Sequence, residues 1–215
     1  MKDDQTTQPT RSKKRNREAD VMDAAVEVFA QKGYPAASIQ DVADRVGVLK
    51  GSLYYYIESK EDLLFRIVDD VHEQSTEILR SVQELDVPTI EVLGTYIERH
   101  VEWYLKNVKE VTVFFREWRH LTGDRLRIAK ERRRGYEQIF RELIEAAQRD
   151  GDIDAAIDPK YASFYVLAAV NAVPDWYRPR GSDSPRVVAE TYADMTVGLL
   201  TGTRQRGARV ASRAA

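Results

Sequence analysis

Apolar residues recur along most of this chain at the three- and four-residue spacings of a helix, and no stretch alternates with the period of two expected of a strand. Val21, Ala25, Val28 and Phe29 stripe one face of a first helix, Arg17 to Gln31, which Gly33 stops. Ser38 and Asp41 have the spacing of a helix N-cap with an acid three residues on, and Ile39, Val42, Ala43 and Val46 follow before Gly47. A third short helix is predicted from Lys50 to Tyr56, with Leu53 and Tyr54 turned inward. Ser59 then opens a long helix carrying Leu63, Leu64, Ile67, Val68 and Val71.

The later helices are longer. Pro88 opens one with Ile90, Leu93, Tyr96, Ile97, Val101 and Tyr104, and the next carries Val111, Phe114, Phe115 and Trp118. Another runs from about Asp124 to Asp150, with Tyr136, Ile139, Phe140, Leu143 and Ile144, and ends at Gly151. Asp158-Pro159 and Ser184-Pro185 are N-cap plus first-turn proline signals for the last two helices, the first apolar on most faces, the second carrying Val188, Tyr192, Met195 and Leu199. The expectation is an all-α protein of about nine helices.

Composition narrows the chemistry. The 215 residues carry 33 basic and 35 acidic side chains, a formal net charge of -2, so binding to a polyanion has to come from a local patch. With no cysteine there is no disulfide scaffold, thiolate nucleophile or cysteine metal site, which suits a cytoplasmic protein. Tyr161 to Pro174, the most apolar stretch, is too short to cross a bilayer, and the polar N-terminus does not read as a secretory signal. Residues 1–16, lacking an apolar period and ending in Arg11, Lys13, Lys14 and Arg15, are expected to be a disordered basic arm, and residues 204–215 a basic tail.

Two short helices joined through Gly47 form a helix-turn-helix signature. Its second helix offers Lys50, Gly51, Ser52, Tyr54 and Tyr55: a cation for a phosphate or guanine edge, hydroxyls for phosphates, and a glycine that permits close approach. Ser38 and Lys60 open the flanking helices, whose N-termini are themselves phosphate sites.

Residues 17–71 resemble the N-terminal domain of the TetR family of bacterial transcriptional repressors. The resemblance runs through Ala24-Ala25, Phe29, Gly33-Tyr34, Ser38, Val42-Ala43, Gly47-Val48, Gly51-Ser52-Leu53-Tyr54-Tyr55-Tyr56 and Ser59-Lys60-Glu61-Asp62-Leu63-Leu64. It implies that residues 17–60 bind DNA and that residues 61–203 bind a ligand and dimerise. It also implies that Gln40, Lys50, Gly51, Ser52 and Tyr55 meet the operator major groove or its rim, while Ser38, Tyr54 and Lys60 hold phosphates. Tyr56, Ile57 and Leu49 depart from the usual pattern.

In the C-terminal half, Arg116, Arg119, Arg125, Arg127, Lys130, Arg132, Arg133 and Arg134 form a basic segment. Asp175-Trp176-Tyr177-Arg178-Pro179-Arg180-Gly181 resembles a subgroup of the family that answers to acyl-CoA thioesters in fatty-acid or steroid breakdown. Guanidinium groups grip phosphates and rings stack on purines. The effector candidates are therefore Tyr96, His100, Phe115, Arg116, Arg119, Arg133, Tyr136, Phe140, Trp176, Arg178 and Arg180. Two plainer readings compete: aromatics at helical spacing are usually core, and arginine runs are usually solvated faces paired with glutamates. A hydrophobic drug-like effector, as in efflux control, is the alternative ligand.

The expected partners are an operator duplex, a small effector and a second copy bound through the last two helices; no membrane, cofactor or metal is expected. His72, His100 and His120 lack metal-ligand spacing, and Glu98 and Glu102, one helical turn apart, are as common on wet faces as at metals. No GxSxG, HExxH, Walker or GxGxxG pattern supports the competing reading, a helical enzyme.

Overall fold

A computed structural model describes residues 11–202, with side chains from Arg17. The expected arm up to residue 10 and the basic tail lie outside the described residues. Every described element is helical: α1 (Arg11–Lys32), α2 (Ile39–Val46), α3 (Lys50–Leu53), α4 (Lys60–Gln83), α5 (Thr89–Lys106), α6 (Val108–Glu117), α7 (Gly123–Arg149), α8 (Pro159–Asn171), α9 (Val173–Trp176) and α10 (Pro185–Thr201). A 3-10 turn, Trp118–His120, follows α6. The nine expected helices are present and α9 is a single added turn.

Two boundaries differ from the sequence reading. α1 begins at Arg11, before its apolar stripe, so residues 11–16 are helical rather than disordered; Arg and Lys are good helix formers. α3 closes at Leu53, and Tyr54 to Tyr56 form a turn, with Tyr56 N–H bonding Leu53 O at 2.8 Å.

The chain divides into two compact units, and not at residue 60. The first comprises the residues up to Glu73 together with Asn107–Arg132; the second comprises Gln74–Lys106 and the residues from Arg133. The chain passes between them inside α4, between α5 and α6, and inside α7.

The first unit is built around Val21, Ala25, Val28 and Phe29 of α1, Ile39, Val42 and Ala43 of α2, and Leu63, Leu64 and Ile67 of α4, with Leu53, Ile57, Val113 and Leu121 closing the same core. α2 has a complete capping box: Asp41 N–H donates to Ser38 Oγ at 3.2 Å, and Ser38 N–H donates to Asp41 Oδ2 at 2.8 Å. It stops at Gly47, whose φ of 75° is left-handed and turns Val48 N–H back to the Ala43 carbonyl at 3.0 Å. These two caps fix the helix-turn-helix corner. Surface ions tie it to later chain: Glu27 of α1 meets both Arg45 and Lys109, and Arg125 of α7 meets Glu58 at 3.2 Å and Asp62 at 3.4 Å.

In the second unit α5 packs against α10, and Gly94 permits close approach, since a Cβ there would lie 3.2 Å from Val197 Cγ2. Asp158 and Ser184 cap α8 and α10 as expected, accepting from Lys160 N–H at 2.9 Å and Val187 N–H at 3.3 Å. α10 buries Val188, Ala189, Ala193 and Leu200, whereas Met195 and Leu199 of the expected stripe face outward. Tyr161, Phe164 and Tyr165 on α8 are likewise exposed.

Candidate nucleic-acid interface and effector site

The polar residues expected at DNA sit on the outer side of a corner whose inner side is Leu53 and Ile57, both buried. Lys50, Gly51, Ser52, Tyr54 and Tyr55 are all exposed. Tyr54, expected to turn inward as well, is 52% exposed, so it leaves about half its surface outside, while Leu53 and Ile57 are buried and Tyr56 packs against the core. Gly51 has no positive φ, and a Cβ there would meet nothing within 4 Å, so the fold itself does not require glycine at this position. Gln40 is exposed on α2, its amide donating to Asp44 at 2.6 Å.

Ser38 and Lys60 are committed within the fold. The Ser38 hydroxyl donates to Asp41 Oδ2 at 2.8 Å, and Lys32 reaches Asp41 Oδ1 at 2.6 Å. Lys32 and then the Ser38 hydrogen bonds hold the Asp41 carboxyl at a pKa of about 2. The Lys60 ammonium donates to the carbonyls of Tyr34 and Ala37, each at 2.8 Å, leaving one N–H for another acceptor.

The effector candidates fall into three sets. Tyr96, His100, Tyr136 and Phe140 converge in the core of the second unit: Tyr96 Oη is 3.2 Å from His100 Nδ1, Tyr136 Oη is 3.3 Å from the same atom, and the Phe140 ring is 5.6 Å from that of Tyr96. Burial holds His100 down to a pKa of about 3 and raises Tyr136 well above the ordinary phenol, so both are neutral at neutral pH. Tyr104, with its ring 4.1 Å from His100, and Ser75, bonded to the Tyr104 hydroxyl, complete the group. Tyr104 belongs to the predicted α5 stripe and its role was legible; Ser75, one residue in a polar run on α4, gave no signal in sequence.

Trp176, Arg178 and Arg180 form a second, exposed set in the same unit. The Trp176 ring stacks on Tyr192 at 6.1 Å between centroids. Arg133, also exposed, lies close enough to Tyr104 to oppose the burial effect on its hydroxyl. Phe115, Arg116 and Arg119 belong to the first unit, where Phe115 packs edge-on to Phe114 and Arg119 lies over Trp118. Much of the basic segment is ion-paired, as the plainer reading held: Arg125 with Glu58 and Asp62, Arg127 with Asp124 and Glu131, Arg132 with Asp69.

Residues 21–67 match the model of the tetR family of bacterial regulatory proteins, and residues 86–200 match a tetracyclin repressor-like C-terminal domain. The chain belongs to the TetR family.

Several TetR relatives match along most of the chain. The transcriptional repressor KstR2 of Rhodococcus jostii is 28% identical over 191 residues, 86% of this chain and 92% of that protein. The fatty acid metabolism regulator protein of Bacillus subtilis is 24% identical over 158 residues, 74% of this chain and 81% of that one. Among solved structures, AibR in complex with isovaleryl coenzyme A and operator DNA aligns with a TM-score of 0.75 at 27% identity, covering 86% of this chain and 98% of that one. KstR2 of Mycobacterium tuberculosis aligns at 0.82 over 87% of this chain and 96% of its own, at 20% identity, and shows the same fold.

The TetR assignment makes this chain a transcriptional repressor and not an enzyme. Its N-terminal match ends inside α4, so the family's N-terminal module lies within the part of the first unit that ends at Glu73. Among the described residues no helix is long and apolar enough to cross a membrane, and no group of three or more His, Asp or Glu could hold a metal.

Proposed function

We propose that this TetR protein is a cytoplasmic homodimer that occupies a palindromic operator and leaves it when an acyl-CoA thioester binds. The observation that carries the DNA reading is the outward array of Lys50, Ser52, Tyr54 and Tyr55 over the buried Leu53 and Ile57. Gln40, Lys50, Gly51, Ser52 and Tyr55 serve the major groove; Tyr54, the N-terminus of α2 that Ser38 caps, and the remaining Lys60 N–H serve phosphates. One such unit reads few base pairs, so two, one DNA turn apart, are needed for a specific site.

The exposed apolar residues of α8 and α10 supply the surface for the second copy. Tyr161, Phe164 and Tyr165 share one face of α8 by their spacing, and Val187, Met195 and Leu199 stand out from α10.

For the effector, Tyr96, His100, Tyr136 and Phe140 receive the acyl end, and Trp176, Arg178, Arg180 and Arg133 the nucleotide end. The inner cluster is neutral at neutral pH, which suits a thioester carbonyl and disfavours a carboxylate. The likeness to AibR, solved with isovaleryl coenzyme A and operator DNA, supports the same chemistry. The effector need only prefer the state that does not fit the operator, and a coupling of ~1–3 kcal/mol already changes DNA affinity 5- to 150-fold.

Fluorescence anisotropy on labelled DNA from beside the protein's own gene tests the reading, with acyl-CoAs, the matching free acids and free CoA as competitors. Release by one thioester and not by its acid is the expected result. Tight binding that the whole panel leaves untouched overturns the thioester assignment and turns the search to drug-like ligands.

A further inference from the structure

Leu49 is 81% exposed, the most exposed of the large apolar side chains among the described residues. It occupies the N-cap of α3, a position that favours Ser, Thr, Asp or Asn, and it forms no side-chain capping bond there. Its backbone is ordinary, φ -70° and ψ 142°, and its carbonyl accepts from Ser52 N–H at 2.9 Å. A polar residue would serve this fold at least as well, so the apolar side chain is not explained by folding.

Its surroundings say what it meets. In the first unit the exposed large apolar residues are Leu49, Tyr54 and Tyr55, all within seven consecutive positions beside exposed Lys50 and Ser52. The two tyrosines carry hydroxyls and can bond phosphates, and the lysine carries charge. Leu49 has neither. In the major groove the apolar feature that a base edge presents is the thymine 5-methyl group.

We infer that Leu49 is a specificity-determining residue that packs on the methyl group of one thymine in each operator half-site. This rests on the operator-binding reading above. The contact selects T against C at that position without a hydrogen bond, while Lys50 supplies the neighbouring electrostatic contact. Because Leu49 is already exposed in the free protein, the contact adds burial on binding and removes nothing from the core.

The test uses the full-length protein and a duplex obtained by selection from random sequence. Each thymine of the half-site is replaced in turn by deoxyuridine, which keeps every hydrogen-bonding edge and removes only the methyl. Wild type should lose about fourfold in affinity at one position per half-site, the factor for one methyl-sized group leaving a buried contact. Leu49→Ala should bind the thymine duplex about fourfold more weakly and should no longer distinguish thymine from deoxyuridine there. Its circular dichroism should match wild type. Methyl sensitivity that persists unchanged in Leu49→Ala, or none at any position in wild type, overturns the inference while leaving operator binding intact. Failure of the wild-type chain to select any duplex overturns the operator reading and this inference with it.

Discussion

The Lys60 ammonium donates to the Tyr34 carbonyl at 2.8 Å and lies 4.2 Å above the centre of the same residue's ring. A lysine that the sequence pattern assigns to phosphate thus closes the turn between α1 and α2 from the start of α4. Lys60→Met should lower stability by about 1–2 kcal/mol, because it strips the donor from two partly buried carbonyls. Thermal unfolding checks this, and an unchanged Tm would mean that water replaces the ammonium without cost.

Lys50 is exposed and makes no comparable contact among the described residues. Lys50→Ala should leave Tm unchanged, weaken operator binding about tenfold and reduce the slope of log affinity against log salt by about one. Titrations at several salt concentrations measure both, and an unaltered affinity would remove Lys50 from the interface.

His100 is fully buried and its pKa is pushed down to about 3. Below the ordinary histidine pKa the unfolded chain takes up a proton that the folded chain refuses. Stability therefore falls as pH drops from about 6.5, on the order of 1 kcal/mol per unit. His72, also depressed by burial, acts in the same direction. Between pH 6.5 and 4.5 the Asp41 carboxyl, held near 2, stays ionised and does not contribute. Denaturant unfolding across this window should show a shallower pH dependence for His100→Gln than for wild type; parallel curves would show that His100 protonates in the folded state.

Met195 and Tyr165 stand exposed on α10 and α8. Charging both, as Met195→Glu with Tyr165→Glu, should halve the mass seen by sedimentation and weaken operator binding about a hundredfold or more through loss of the second half-site. A dimer that survives the double change would place the contact elsewhere.

Arg178 and Arg180 are exposed beside Trp176. Arg178→Ala with Arg180→Ala should raise the acyl-CoA concentration needed for release by about tenfold or more, the loss of charge-assisted bonds to phosphate, with operator affinity unchanged. Normal release in that variant would detach these arginines from the effector.

Most of this protein's helices can be read from its sequence because each cue is local. A Ser with an acid three residues on, an Asp-Pro or Ser-Pro pair, and a stripe such as Ile39, Val42 and Ala43 act within one or two turns of chain, and α2, α8 and α10 begin where those cues stand. The DNA-facing residues are legible for the same reason, since Lys50, Ser52 and Tyr55 follow one another on a short helix and the turn after it.

What only the tertiary structure decided depends on which distant segments share a core. Residue spacing cannot say that Lys60 serves the Tyr34 and Ala37 carbonyls, that Arg132 is taken up by Asp69, or that Phe115, Arg116 and Arg119 fold with the first unit while Tyr96 and Tyr136 fold with the second. Nor can it choose the buried side of α10, a helix with apolar residues on more than one face: packing against α5 took Ala189, Ala193 and Leu200 inward and left Met195 and Leu199 outside. Periodicity and caps are properties of a few neighbouring residues, whereas burial and charge pairing belong to the three-dimensional neighbourhood, which the chain acquires only on folding.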